Sequence, residues 1–314
     1  MEERQWPGPK GLIPEPKINA ANANILARGY LDSLTVEMRM IDAIEADLTK
    51  TLFNETFSSP IMTPAFSHLN KVGKGGHKPM NDYALAAKEL NLLNWVGMEP
   101  DEEIAEILEL YPKTIRIIKP FMDKQMILDQ IDFAKEHGAL GVGIDIDHVF
   151  GKDGNYDIVD GIPLGPVTME DLRTYVSHAK PLPFIAKGVL STLDATKCVE
   201  AGCSGIFVSH HHGRIPFGIP PVAILPDIRQ AIQDKALIFV DCSIETGYDA
   251  FKALALGADA VAVGRGILPP LLKDGTPGVI TKIQAMNKEL KELMGYTCTK
   301  DTSSFDPSTI HKSY

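Results

Sequence analysis

Several things are scarce in this sequence, and each scarcity excludes something. No apolar run approaches the ~18–20 residues of a membrane span. The opening stretch, MEERQWPGPKGLIPEPK, has no apolar core of the secretory-signal kind. Only four cysteines occur in 314 residues (Cys198, Cys203, Cys242 and Cys298), and they lie far apart or on regular elements. That pattern argues against a disulfide framework and for reduced thiols, so a cytoplasmic location is expected. Basic residues are outnumbered 31 to 41, giving a net charge of −10, and they are scattered. Nucleic acid needs a clustered positive face, so neither it nor a membrane is an expected partner. No GxGxxG turn opens a first helix, which removes the usual signature of a dinucleotide-binding doubly wound sheet. GKGGHKPM (73–80) lacks the Walker spacing and the following Ser/Thr, and reads as a loop after the first strand with His77 exposed.

What is present is regular. Short β-branched runs recur in the order SPIMTPAF, LLNWVG, TIRIIKP, LGVGIDID, PFIAKGV, GIFVSH, LIFVDCS and AVAVGRG. Between them lie amphipathic stretches such as YALAAKEL, DEEIAEILELY and ILDQIDFAKEHG, and two, FAKEHG and KCVEAG, end in a capping glycine. Alternation at this spacing implies βαβ units and a parallel sheet, and eight units imply a closed (β/α)₈ TIM barrel. The barrel is expected over 56–294. Residues 1–55 are expected to form an N-terminal arm and a helix, ANANILARGYLDSLTVEMRMIDAIEADL, packing on it. The proline-rich first seventeen residues and the polar C-terminal tail, 295–314, read as arms or partly disordered segments.

In such barrels chemistry sits at the C-terminal ends of the strands. Those ends carry Pro64 and Ala65, Lys119, Asp145 with Asp147 and His148, Lys187, Ser209 with three successive histidines (His210, His211, His212), Asp241 with Cys242 and Ser243, and Gly264 with Arg265 and Gly266. The loops after the seventh and eighth strands commonly hold a phosphate, and Arg265 suits a bidentate grip on one. The alternative is two turn glycines around a surface arginine. The histidines together with DIDH (145–148) also raise a metal site, although successive side chains on a strand point to opposite faces. His68 is a weaker pocket candidate, and His137 reads as a helix-end partner of the dipole.

The segments ARGYLDSLT, FSSPIMTPAF, PFIAKGVLSTLDATKCVEAGCSGIFVSHHHGR and FVDCSIETGYDAFKALALGADAVAVGR together resemble the FMN-dependent 2-hydroxy-acid oxidases and dehydrogenases, the glycolate and lactate oxidase family. The resemblance implies FMN as cofactor and oxidation of a hydroxy-acid-like or related alcohol. It implies His211 as the base, Arg214 as the grip on a substrate carboxylate, and Lys187 beside the flavin N1–C2=O edge. Asp241 would lie near the ribityl chain and Gly264 with Arg265 at the phosphate, while Pro64, Ala65, Ser209 and Ser243 complete the cofactor site. Lys119, Asp145, Asp147, His148, His210 and His212 would form the substrate pocket, and a homotetramer goes with the family. The chain departs from the pattern in places. His210 and His212 stand for asparagine and glycine, and Glu245 for a phosphate-binding arginine. Two carboxylate-binding tyrosines fall near Leu26 and at Lys119, and a glutamine and a threonine at Ile117 and Gly143. Open alternatives are an FMN-dependent isomerase or reductase on the same barrel, and a metal-dependent lyase or hydrolase using the DIDH and HHH strand ends.

Overall fold

The computed structural model describes residues 21–73 and 77–313; the proline-rich first seventeen residues lie outside them. All eight expected strands form: β1 (Ile61–Met62), β2 (Asn94–Val96), β3 (Thr114–Ile118), β4 (Gly141–Asp145), β5 (Phe184–Val189), β6 (Gly205–Val208), β7 (Leu237–Val240) and β8 (Ala260–Ala262). They make one parallel sheet in chain order, with β8 paired to β1. The remaining seam, β1 to β2, is bridged by Thr63 N–H donating to Leu93 O at 3.3 Å and by the Thr63 hydroxyl donating to Asn94 Oδ1. The fold is a (β/α)₈ barrel.

Period-two alternation sorts the strands into two cores. Ile115, Ile117, Ile185, Phe207 and Phe239 point inward around Trp95, while Ile118, Val142, Ile144, Ala186 and Ile206 face the helices. The hairpin Lys50–Leu52 and Glu55–Phe57 contributes Leu52, Phe53 and Phe57 to the inner cluster, with the Phe53 ring 5.9 Å from Phe239.

The outer layer is α1 (Pro79–Leu90), α2 (Asp101–Leu110), α3 (Lys124–Glu136), α4 (Met169–Ala179), α5 (Thr192–Ala201), α6 (Pro221–Ile232), α7 (Gly247–Ala255) and α8 (Thr276–Tyr296), with a short helix Leu268–Asp274 before α8. Helix starts are set by side chains. Thr168 with Asp171 and Thr246 with Asp249 form reciprocal capping boxes on α4 and α7. Gly202, at φ 94, closes α5 as its sequence suggests.

Two expectations at the chain ends need correcting. The N-terminal helix runs only over Ala23–Asp32 and residues 37–49 contain no helix. After Ser33 the β-branched pair Thr35–Val36 leaves as a strand, Leu34–Val36, with Leu34 buried and Thr35 exposed. The C-terminal tail is ordered, not loose: Ile310–Lys312 pairs antiparallel with Leu34–Val36, and Thr297, Thr299 and Thr309 are buried. Buried threonine hydroxyls share that interface with Leu34, Ile310 and Phe305, and they are why the tail reads as polar. Among the described residues no helix is long and apolar enough to cross a membrane.

Candidate active site

The alternation that builds the inner core also aims the chemistry. Lys119, Asp145 and Lys187 each follow an inward-facing position by two residues, so their side chains rise from the barrel floor. Register does the rest: Lys187 on β5 lies beside Asp145 on β4. The Asp145 carboxylate accepts from Lys119 Nζ at 2.6 Å and from Lys187 Nζ at 3.0 Å, with all three side chains at most 6% exposed. Burial alone would raise the Asp145 carboxyl, but the two ammoniums and His211 outweigh it and hold it well below the usual range. Burial likewise works against the Lys187 ammonium, yet Asp145, Asp241 and Asp147 raise its pKa above the ordinary lysine value.

Above this trio stands the histidine turn. His211 and His212 adopt left-handed φ values of 46 and 60, followed by Gly213 at 80. The turn splays the three imidazoles apart. His211 Nδ1 lies 3.0 Å from Asp147 Oδ1 and 3.7 Å from Asp145 Oδ1. Its backbone N–H donates to the buried Ser209 hydroxyl at 2.9 Å. Gly188, at φ 92, makes the Asp147 contact possible, because a Cβ there would come within 2.2 Å of the Asp147 carboxyl carbon. His148 meets the edge of His211 at 5.6 Å between ring centroids, and its Nε2 lies 2.9 Å from Asp157. Burial, with Lys119 and Arg214 adding to it, pushes His148 down to about 4 and leaves it neutral at neutral pH.

A cavity of about 480 Å³ opens at this end of the barrel, within the range of small-molecule sites. Lys119, Lys187, His148 and His211 line one part of it, and Pro64–Ala65, Asp241, Ser243, His212, Glu245 and Gly264–Gly266 another. Asp145, Asp147 and Ser209 stand behind these residues and position them. Two further expected site residues, His210 and Arg214, are elsewhere. His210 is buried in the wall, its Nδ1 accepting from Gly213 N–H at 3.0 Å and lying 3.3 Å from Cys242 Sγ, so it is not part of the pocket lining. Arg214 also lies outside the lining: its guanidinium donates to Phe150 O at 3.1 Å and sits 3.6 Å from Asp157. It thereby ties the histidine turn to the loop that leads into the hairpin Ile158–Val159 and Ile162–Pro163.

Other contributors come from outside the barrel strands. Asn24, on the N-terminal helix, accepts through Oδ1 from Arg265 Nη2 at 2.6 Å and lies 3.2 Å from His212 Nδ1. Arg28 binds Asp249 with both terminal nitrogens, at 3.0 and 2.7 Å, and donates to Ser243 O at 2.9 Å. The helix is thus fastened to the loop after β7. The asparagines of ANANILARG hint at a cap, but nothing in them points to Arg265.

Asp145, Asp147 and His211 bring ligand-type atoms within 4.8 Å of one another, the geometry a metal site needs. Lys119 and Lys187 already hold Asp145, and a divalent cation there would face two buried ammoniums at contact distance. The arrangement suits proton transfer and anion binding better than metal ligation.

Residues 165–312 match the FMN-dependent dehydrogenase family model. An L-lactate oxidase of Roseobacter sp. (strain GAI101) is 37% identical over 160 residues, covering 51% of this chain and 43% of that protein. Human 2-Hydroxyacid oxidase 1 is 34% identical over 147 residues, covering 46% of this chain and 40% of that protein. The chain therefore spans less than half the length of these curated relatives. In overall fold it superposes on a mandelate oxidase crystal structure with a TM-score of 0.82 at 23% identity, covering 92% of each chain.

Proposed function

We propose, from the match of residues 165–312 to the FMN-dependent dehydrogenase family model, that the protein holds FMN in the barrel mouth and oxidises the carbinol carbon of a small 2-hydroxy acid or related alcohol. The observation that carries this reading is the Asp147–His211 pair, at 3.0 Å, facing the same cavity as Lys187 and Arg265. The residues present fit the cofactor. A buried lysine is available for an electron-rich ring edge, Pro64–Ala65 forms a wall, and a Cβ on Gly264 would meet nothing within 4 Å, so the backbone there is open to a ligand.

Bound FMN would supply the two-electron acceptor for the hydride leaving the carbinol carbon. His211 is the base. Donation of its Nδ1–H to Asp147 fixes the tautomer and leaves Nε2 to take the hydroxyl proton. Asp147, and Asp145 at 3.7 Å, then stabilise the imidazolium. Lys187 provides a fixed positive charge already paired and oriented before reaction. Lys119, which lines the cavity, is the cation positioned for the substrate's anionic group; Arg214 instead holds the adjoining loop in place.

The test is direct. The purified protein is expected to be yellow, with absorbance near ~450 nm, and to bleach anaerobically with a hydroxy acid or related alcohol. A colourless protein that cannot be reconstituted with FMN would overturn the reading. A cytoplasmic homo-oligomer belongs to the same proposal, and sedimentation of that preparation checks the assembly.

Glu245 puts a carboxylate at the end of the cavity where Arg265 and Gly264–Gly266 lie. Replacing it with a cation removes a like charge and adds a donor for a phosphate. Glu245→Arg is therefore expected to tighten FMN about tenfold in a fluorescence titration. Unchanged or weaker binding would count against a phosphate at that end.

A further inference from the structure

We infer that His212 is a phosphate-binding residue of the cofactor site, an assignment that rests on the FMN reading above. The backbone supplies the first reason. His212 is held at φ 60, a conformation that glycine adopts freely and that costs another residue on the order of 1 kcal/mol. A left-handed residue kept in a cavity wall calls for a functional account, and an imidazole is what the position retains.

Direction supplies the second. His211 and His212 are neighbours, yet their rings diverge. His211 turns to Asp147, whereas His212 turns to the opposite side, with Nδ1 3.2 Å from Asn24 Oδ1 and Nε2 3.4 Å from Arg265 Nη1. Arg265 donates to the same Asn24 oxygen at 2.6 Å. Asn24 therefore gathers an imidazole and a guanidinium onto one end of the cavity, where Gly264 leaves open space in front of the backbone.

Chemistry supplies the third. Glu245 also lines the cavity, with its backbone beside Gly266, so an acidic residue there leaves a dianionic phosphate in need of more than Arg265. An imidazolium donates through both nitrogens: Nδ1–H remains on Asn24 while Nε2–H turns from Arg265 to a phosphate oxygen. A nearby dianion favours that charged form. His212 thus reads the cofactor, and the substrate-facing imidazoles are His211 and His148.

The experiment titrates deflavinated protein with FMN and, in parallel, with riboflavin, which lacks the phosphate. Wild type, His212→Gly and His212→Gln are compared by flavin fluorescence. Glycine suits the left-handed backbone, so that variant is expected to fold. His212→Gly is expected to weaken FMN about tenfold and leave riboflavin unchanged, with glutamine restoring part of the loss. Equal loss for both flavins, or none for either, would overturn the assignment while leaving the FMN reading intact. Failure of the wild type to bind either flavin would overturn that reading and the assignment with it.

Discussion

Exchanging His211 for alanine is expected to slow anaerobic flavin reduction by two or more decades, the range that loss of a positioned general base produces. Stopped-flow absorbance at saturating substrate separates this effect from binding, because the FMN contacts proposed above lie on other residues. Asp147→Asn should give a smaller loss of the same kind, since the imidazole keeps a neighbour but loses the charge that fixes its tautomer. His148→Ala serves as the control. If His148→Ala shows the large loss while His211→Ala reduces flavin normally, the base has been assigned to the wrong ring.

The second large effect concerns stability. Asp145 is the shared carboxylate of two buried ammoniums at 2.6 and 3.0 Å. Asp145→Ala leaves both without the carboxylate that accepts from them, with only the charges of Asp241 and Asp147 still acting on Lys187, and removal of one partner from a buried ionic group costs about 3–5 kcal/mol. The urea midpoint should fall accordingly, and burial, no longer opposed by Asp145, would pull Lys187 downward. The pH dependence follows from the direction of the shift. Asp145 has a folded-state pKa below its ordinary 3.8, so its stabilisation is fully present above that value. It is lost as pH falls through the folded pKa. The gap in stability between wild type and Asp145→Asn should therefore be constant from neutral pH down to about 4 and narrow in stronger acid. A gap that widens on acidification would contradict the pairing.

The barrel and its active ends were legible because their signals are local. β-Branched runs, capping boxes and polar residues directly after apolar ones say where strands end, and strand ends face one mouth. Asp145, Lys187 and His211 were singled out that way, and their side chains meet at one end of the barrel. What escaped were arrangements set by register between distant elements. Arg214 follows His211 by three residues, yet it is claimed by Phe150 O and Asp157 across a loop. His210 sits beside His211 in sequence and turns into the wall, because consecutive left-handed residues rotate neighbouring side chains apart. Gly188 looks like an ordinary strand glycine until the Asp147 carboxyl is found against it. Asn24 and Arg28 belong to a helix outside the barrel, and no local pattern tells which loop such a helix will cover.

The pairing of Leu34–Val36 with Ile310–Lys312 also has a temporal meaning. The strand that follows the Asn24 helix has no partner until residues 310–312 have been synthesised. During synthesis the barrel strands can assemble in order, but the rim that gathers His212 and Arg265 gains this fastening only after all eight of them have emerged. Contacts of such long sequence separation are slow to form. Closure of the rim around the proposed phosphate end is thereby set as a late event in the folding of each chain.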